Sequence, residues 1–479
     1  MSNQTKPVTE TAPAAGKSDR FPSQIKYIVG NEACERFSYY GMMGILELFL
    51  ANRMAMSDEG ATEILHLFGA AVYFLPLFGG WLADRWIGRY WTILIISFFY
   101  CLGHGTLALF GTSRAGLFTG LALIAIGAGG IKPCVSAFVG DQFGPHQEHL
   151  LMKVYGWFYW TINFGAAAAF FIIPWIHLKV SYSWAFGVPG IAMALATLIF
   201  WLGTRYYVRQ PPSRREKRMH FFPVIWHALT HQKERKRGEK FLDVAMKHFS
   251  REEVEGARVV IGILIIFATV PMFWALFNQV NSTWVLQGKN MRPFYLLNGE
   301  TMQGAGAVLV MIWVPILTLG VYPLLERLGL RPTALRRMSA GMVLGAAAFF
   351  ICGLMQARMD RGESLSIVWQ LVPYVVLEAG EVLLSATALE FAFEQAPKQL
   401  KSVIMSFWLM TIAGGHFLIA VITGLNSRFV HAKGASEFFF YAVMMLVVAG
   451  AFIFCASRYR QRRQVEPENG FTGMDHGHQ

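Results

Sequence analysis

Charge is what this chain has least of. Asp, Glu, Lys and Arg make up 15% of its 479 residues, where a soluble domain carries about 25%. That deficit argues against a water-soluble surface. Period-two alternation is missing from the apolar runs, which argues against a transmembrane barrel and against strands. The five cysteines (Cys34, Cys101, Cys134, Cys352, Cys455) fall in apolar segments without metal-like spacing, so they read as small buried hydrophobes. No HExxH, no GxSxG and no Cys/His cluster occurs, which speaks against an intramembrane enzyme and implies no cofactor. The formal charge of +12 lies in loops between apolar runs, so it does not point to nucleic acid. Met1–Ser23 is polar and lacks an apolar core, so no cleavable signal peptide is expected, and Met1–Pro22 reads as a disordered tail.

What the chain has in excess is apolar length. Hydrophobic residues are 54% and aromatics 14% of the total, and mean hydropathy is +0.40. Runs of about 20 residues, each long enough to cross a bilayer, recur throughout. The chain therefore reads as an all-α polytopic membrane protein. Spans are expected at about 26–51, 62–83, 91–111, 116–140, 153–176, 184–206, 258–286, 301–325, 336–357, 366–394, 402–425 and 436–457. Tyr207–Ala257 holds no spanning run and is basic (PPSRREKR, KERKRGEK). It reads as a surface linker with one or two amphipathic helices and some contact with anionic lipid.

The expected organisation is thus a tail (1–25), a six-helix bundle (26–206), the linker (207–257), a second six-helix bundle (258–458) and a tail (459–479), as in many secondary transporters. With both termini on one side, that side collects 31 of the 42 basic residues and the other side 9, while Arg36 and Lys132 lie inside spans. Such an excess places termini and linker in the cytoplasm of a cell (inner) membrane protein.

The functional signal concentrates in NEACERFSYYG, Asn31–Gly41. Glu32, Glu35 and Arg36 sit inside the first span, where each charge costs at least ~2.5 kcal/mol. Glu32, Arg36 and Tyr40 follow at i, i+4, i+8, with Glu35 and Tyr39 beside them on one broad face. Glu32 and Arg36 suit an intrahelical pair. Glu35, adjacent to Arg36, is expected to seek a partner on another helix. A purely structural ion pair would not explain two tyrosines on the same face.

Other polar residues mark the remaining spans. His66 and Tyr73 share a face of the second; an intramembrane histidine is more often packing than proton carrier, and His104 and His416 are read that way. The fourth carries GAGGIKPC, with glycines for close helix packing and Lys132 in need of a carboxylate or a wet cavity, for which Glu35 is the candidate. Asn163 lies in the fifth, Trp274 and Asn278 at i, i+4 in the seventh, and Gln303 in the eighth, which is interrupted at Pro315. The tenth holds Glu378, Glu381 and Glu390, with Glu381 nearest the middle, and Trp408 lies in the eleventh.

Gly79–Tyr90, GGWLADRWIGRY, resembles the loop between helices two and three of the major facilitator superfamily, which in that family latches the two halves. Five further motifs resemble the proton-dependent oligopeptide transporter family: ExxERFxYYG, GxGGxKP, FYWxINxG, FWALFxQ and GEVxxSxTxLEFxxxQAP, in order across both halves. The resemblance implies the major facilitator fold, two six-helix bundles of twelve helices, and proton-driven import of di- and tripeptides across the lipid bilayer, with function as a monomer. It implies proton coupling by Glu32, Glu35, Arg36, Lys132, His66 and Glu381. It also implies peptide contacts from Arg36, Lys132, Asn163, Glu381 and Asn278, with Tyr39, Tyr40, Tyr73, Trp274 and Trp408 lining side-chain pockets. The alternative is a facilitator carrying another charged solute, such as a drug or a nitrate-like anion.

Three positions depart from the pattern. Met43 stands where many members have Arg, and Asn278 where they have Asp or Glu, so both halves of that ion pair are missing together. A lone survivor would be an unpaired buried charge. Gly306 stands where an Asn is expected, which weakens one contact to a substrate amine.

Overall fold

The computed structural model describes residues 21–459, apart from 145–146, 148–149, 213–220, 237, 331–332, 396, 398–399 and 431–432. Most of the tails expected at 1–25 and 459–479, and the central part of PPSRREKR, lie outside the described residues.

The first half consists of α1 (Ile25–Leu48), α2 (Asp58–Phe74), α3 (Pro76–Leu82), α4 (Arg89–Phe110), α5 (Arg114–Asp141), α6 (Leu151–Lys179) and α7 (Tyr182–Leu202). A short apolar helix α8 (Phe221–Thr230) follows. The second half is α9 (Arg251–Phe267), α10 (Val270–Phe277), α11 (Thr283–Lys289), α12 (Gln303–Pro315), α13 (Tyr322–Arg327), α14 (Ala334–Met359), α15 (Leu371–Gln395), α16 (Lys401–Leu425) and α17 (Ala435–Arg458).

Among the described residues, ten helices are long and apolar enough to cross a membrane, and eleven when the bent pair α9 and α10–α11 counts as one span. The twelfth is α1, which is of spanning length but carries Glu32, Glu35 and Arg36. The expected twelve spans are therefore all present as helices. Two boundaries differ. The seventh span starts at Arg251, earlier than the expected 258, because Ser250 and Glu253 form a reciprocal capping box there. It also bends by 41° at Ala268–Thr269, ahead of Pro271, whose ring and missing N–H disfavour a continuous helix. In the linker, where one or two amphipathic helices were expected, lie one helix, α8, and two single-turn segments, Gln232–Glu234 and Asp243–Lys247.

Local chemistry explains the starts. The hydroxyls of Ser57, Ser113 and Ser181 each accept from a backbone N–H in the first turn of α2, α5 and α7, satisfying donors that a helix N-terminus leaves free. Small residues set the packing. A Cβ on Gly79 would come within 2.6 Å of Gly130, so α3 and α5 touch backbone to backbone. A Cβ on Gly127 would meet Tyr100 at 2.4 Å. In lipid, where apolar burial drives little association, such close contact is the main glue.

The buried apolar residues fall into two large clusters. One draws on residues between Ile25 and Tyr207, the other on residues between Phe221 and Phe452. Within the first, α1 packs on α6 and α7, and α4 on α5 and α7; within the second, α14 packs on α15 and α17, and α10 on α16. The halves meet along two seams, α2 against α16 and α6 against α12. Arg89 of the GGWLADRWIGRY segment pairs with Asp141 at 2.6 Å and Asp84 at 3.5 Å, tying α4 to the end of α5 within the first half.

Candidate functional site

The site lies between the two seams, and α1 supplies its most charged wall. Arg36 Nε is 3.2 Å from Glu32 Oε1, the expected i, i+4 pair. Arg36 also binds Glu35 directly. This corrects the expectation that Glu35 looks to another helix: the guanidinium is long and forked enough to reach the neighbouring carboxylate as well as the one a turn below. All three groups are buried, and among the described residues Glu35 Oε1 has no hydrogen-bond partner. The positively charged end of Arg36 also faces Tyr39, 5.7 Å from its ring centre.

Lys132 does not pair with Glu35. Its Nζ sits over the Tyr73 ring, 3.6 Å from the centre, and among the described residues no carboxylate lies within ion-pair distance of it. A cation–π contact compensates a desolvated ammonium only in part. Pro133 follows it inside α5 and removes a backbone donor there.

Tyr39 and Tyr40 stand edge to face at 5.3 Å, and Tyr40 continues to Phe170 of α6 at 5.6 Å. Tyr159, one turn before Asn163 on α6, is close enough to feel the charges of Glu381 and Glu378, and Asn163 donates to its carbonyl at 2.9 Å. Sequence reasoning missed Tyr159, although it lies inside the FYWxINxG run. It also missed Tyr100, a fully buried residue of α4 beside Glu35 and Arg36. No spacing rule connects α4 to α1, so only the fold could reveal it.

The second half contributes further acids, Glu378 and Glu381 of α15. Glu381 Oε1 accepts from Ser385 at 2.6 Å. Glu378 is buried, and among the described residues its Oε2 has no hydrogen-bond partner. A Cβ on Gly306 would lie 2.6 Å from Glu378 Oε1, so the glycine of α12 makes room for this carboxyl. Glu390 is elsewhere, paired with Arg337 at the far end of α15. Trp274 and Trp408 stand edge to face at 5.8 Å. Asn278 does not share a regular helix with Trp274, because α10 ends at Phe277 and Asn278–Asn281 forms a tighter turn. It is buried with its Nδ2 unpartnered, and Met43 is buried in the apolar cluster of the first half.

Among the described residues, six polar contacts tie the halves together, and these lie toward the end of the bundle where α1 finishes and α2 begins. His66 Nδ1 meets His416 Nδ1 at 2.9 Å, and His66 Nε2 meets Ser282 Oγ at 2.8 Å. Gln303 donates to the Gly44 carbonyl at 3.1 Å, and Lys289 to Asn52 at 2.8 Å. His177 lies 2.7 Å from Glu300, and Lys433 3.7 Å from Glu59. His416, read from sequence as packing, is therefore the direct partner of His66.

A family profile described as "POT family" matches residues 90–440. Solute carrier family 15 member 2 of Rattus norvegicus is 34% identical over 362 residues, covering 71% of this chain and 50% of that protein. Peptide transporter family 1 of Drosophila melanogaster is 37% identical over 374 residues, covering 71% and 48%. The chain thus spans about half the length of the curated relatives it matches. Among solved structures, an auto-inhibited POT family peptide transporter superposes with a TM-score of 0.88 at 39% identity, covering 94% of this chain and 99% of the other. The POT family transporter PepTSo superposes at 0.87 and 37%, covering 92% and 99%. The match in fold, in sequence and in the order of the buried charged motifs leads to one conclusion: this chain belongs to the POT family and has the major facilitator fold.

Proposed function

We propose that the protein is a proton-coupled symporter that imports di- and tripeptides by alternating access. One observation carries this reading. Among the described residues, the site holds a cation without a carboxylate, Lys132, and on the opposite half acids without a cation, Glu378 and Glu381. Two uncompensated charges of opposite sign are costly in a membrane interior, and a zwitterionic peptide compensates both. That layout selects the backbone termini at a fixed separation. The aromatic walls of Tyr39, Tyr40, Tyr73, Trp274 and Trp408 then accept varied side chains.

Coupling follows from the Arg36 triad. Arg36 is shared between Glu35 and Glu32 while the site is empty. A peptide carboxylate engaging Lys132 also draws on Arg36, and Glu35 loses part of its partner in a poorly solvated place. The charged form is then disfavoured and Glu35 takes a proton. Peptide and proton binding therefore favour one another, and linkage makes this reciprocal. The two halves rock about the site to expose it to the other face. With both termini in the cytoplasm, the contacts at the α1–α2 end close the outer side of a multi-pass protein of the cell membrane. The monomer is the transporting unit.

The test is uptake of a labelled dipeptide into liposomes under an inward proton gradient, which a protonophore then collapses. Accumulation that vanishes on collapse supports the reading. A folded, inserted protein that takes up no peptide overturns it and directs the search to another charged solute, with Met43 and Asn278 as the first positions to examine.

A further inference from the structure

Among the described residues of α12 and α15, the buried side-chain polar atoms without a partner are both acceptors, Gln303 Oε1 and Glu378 Oε2. Gln303 uses both amide hydrogens, on the Gly44 and Glu300 carbonyls at 3.1 Å each. Because both of those partners are carbonyls, the amide orientation is fixed and the free atom is the oxygen. The two residues are 3% and 2% exposed. A buried acceptor without a donor is costly, and a carboxylate oxygen is the more costly of the two. Such a pair suits a donor with several N–H groups, and the carboxylate favours one that is charged.

The packing shows why the carboxyl of Glu378 is there. A Cβ on Gly306 would lie 2.6 Å from Glu378 Oε1 and 3.6 Å from the Tyr374 ring. No side chain fits at 306 while Glu378 keeps this position. The missing Asn at 306 and the acid at 378 are therefore one change. An amide that donates as well as accepts gives way to a carboxylate that only accepts. Glu381 follows three residues later on the same face of α15. Tyr159, on α6 of the first half, is close enough to feel the charges of both acids. The two carboxylates thus lie near α6 and α12, where the halves meet.

We propose that Glu378, lying over Gly306, is a second cation subsite beside Glu381, and that it gives the transporter a preference for peptides whose first residue carries a basic side chain, such as lysine or ornithine. The proposal rests on the peptide symport reading above and narrows its substrate class. Glu381 takes the α-amino group and Glu378 the side-chain ammonium. Residues three apart on a helix stand about 5–6 Å from each other, a separation that the flexible stem of lysine crosses. Gln303, one turn before Gly306 on the same side of α12, offers a further acceptor. The charge count agrees. The site residues hold two cations, Arg36 and Lys132, against four acids, Glu32, Glu35, Glu378 and Glu381. A zwitterionic peptide leaves that excess unchanged, and the coupled proton removes one charge of it. A side-chain ammonium removes the other. An acidic first residue is disfavoured for the same reason.

The experiment measures inhibition of labelled dipeptide uptake into liposomes by lysyl-alanine and by norleucyl-alanine, which keeps the four-carbon stem and lacks the ammonium. Wild type is compared with Glu378→Gln. The readout is the ratio of the two inhibition constants, so a general loss of transport cancels. Wild type is expected to favour lysyl-alanine about tenfold, the scale of one hydrogen bond to a charged group, and the ratio is expected to fall to near one in the variant. Equal potency in wild type, or a ratio that survives Glu378→Gln, overturns the proposal. Alanyl-lysine and alanyl-norleucine move the ammonium to the second residue. A preference of the same size there, also lost in Glu378→Gln, would reveal a diffuse field instead of a subsite and overturns the proposal too. Where Glu378→Gln does not fold, Gly306→Ala serves. Its Cβ displaces the carboxyl, the ratio is expected to fall a few-fold, and an unchanged ratio counts against the subsite. A wild type that takes up no labelled dipeptide overturns the symport reading itself, and the subsite falls with it.

Discussion

The two walls of the site handle buried charge in opposite ways. On α1, one cation is shared by two acids within two turns: Arg36 holds both Glu32 and Glu35. On α15, Glu381 accepts from the Ser385 hydroxyl, and among the described residues one oxygen of Glu378 has no hydrogen-bond partner. The paired wall is stable when empty and can be disturbed by a substrate, which suits coupling. The unpaired wall is incomplete when empty and gains from a substrate, which suits recognition.

The strongest test of that contrast removes the charge that balances the paired wall. Arg36→Ala leaves two buried carboxylates with no cation on their own helix, and breaking a buried ion pair typically costs about 3–5 kcal/mol. The expected outcome is a protein whose melting temperature falls sharply in detergent. A variant that melts like wild type would show that the α1 wall is not held together by this pairing. Next in size is Glu35→Gln, which is expected to abolish pH-driven accumulation while leaving gradient-independent counterflow. Retained pH-driven uptake would remove Glu35 from the coupling role.

The recognition wall predicts a smaller and more selective effect. Glu381→Gln is expected to weaken binding of peptides with a free amino terminus about tenfold, the scale of one hydrogen bond to a charged group, and to leave N-acylated peptides unaffected. Equal losses for both classes, measured by competition uptake, would take the amino-terminus contact away from Glu381. The smallest effect is expected at Gly306→Ala. The new Cβ would sit 2.6 Å from Glu378 Oε1, so the carboxyl must swing aside, and affinity is expected to change only a few-fold. A tenfold or larger loss in the same competition assay would show that Glu378, not Glu381, dominates the recognition wall.

Much of this was legible in the sequence, for a clear reason. Spanning runs must be apolar along their whole length, so the spans read directly from the chain, and charges inside them stand out. Glu32, Arg36, Lys132 and Glu381 announced themselves in that way. The partners did not. Glu35 was expected on Lys132 and lies on Arg36; Lys132 lies on Tyr73; His416, taken as packing, meets His66 across the seam. Spacing rules relate residues within one helix and say nothing about which helix stands opposite.

The linker shows the same division. Its basic composition marked it as a surface segment, but the start of α9 at Arg251 depended on the Ser250–Glu253 capping box, a local signal outweighed by the charges around it. The Ala268–Thr269 bend separates Trp274 from the axis of α9, and its sequence signal, Pro271, sits inside a run apolar enough to read as one span.

The sequence by itself determined the class of molecule, the number of spans and the charged residues that a membrane would not otherwise tolerate, because each follows from transfer free energy summed along the chain. Only the tertiary structure decided who pairs with whom, which end of the bundle is closed, and that a histidine pair bridges the seam. Those depend on helix-to-helix register, set by small-residue contacts such as Gly79 on Gly130 and by the space Gly69 leaves for His416.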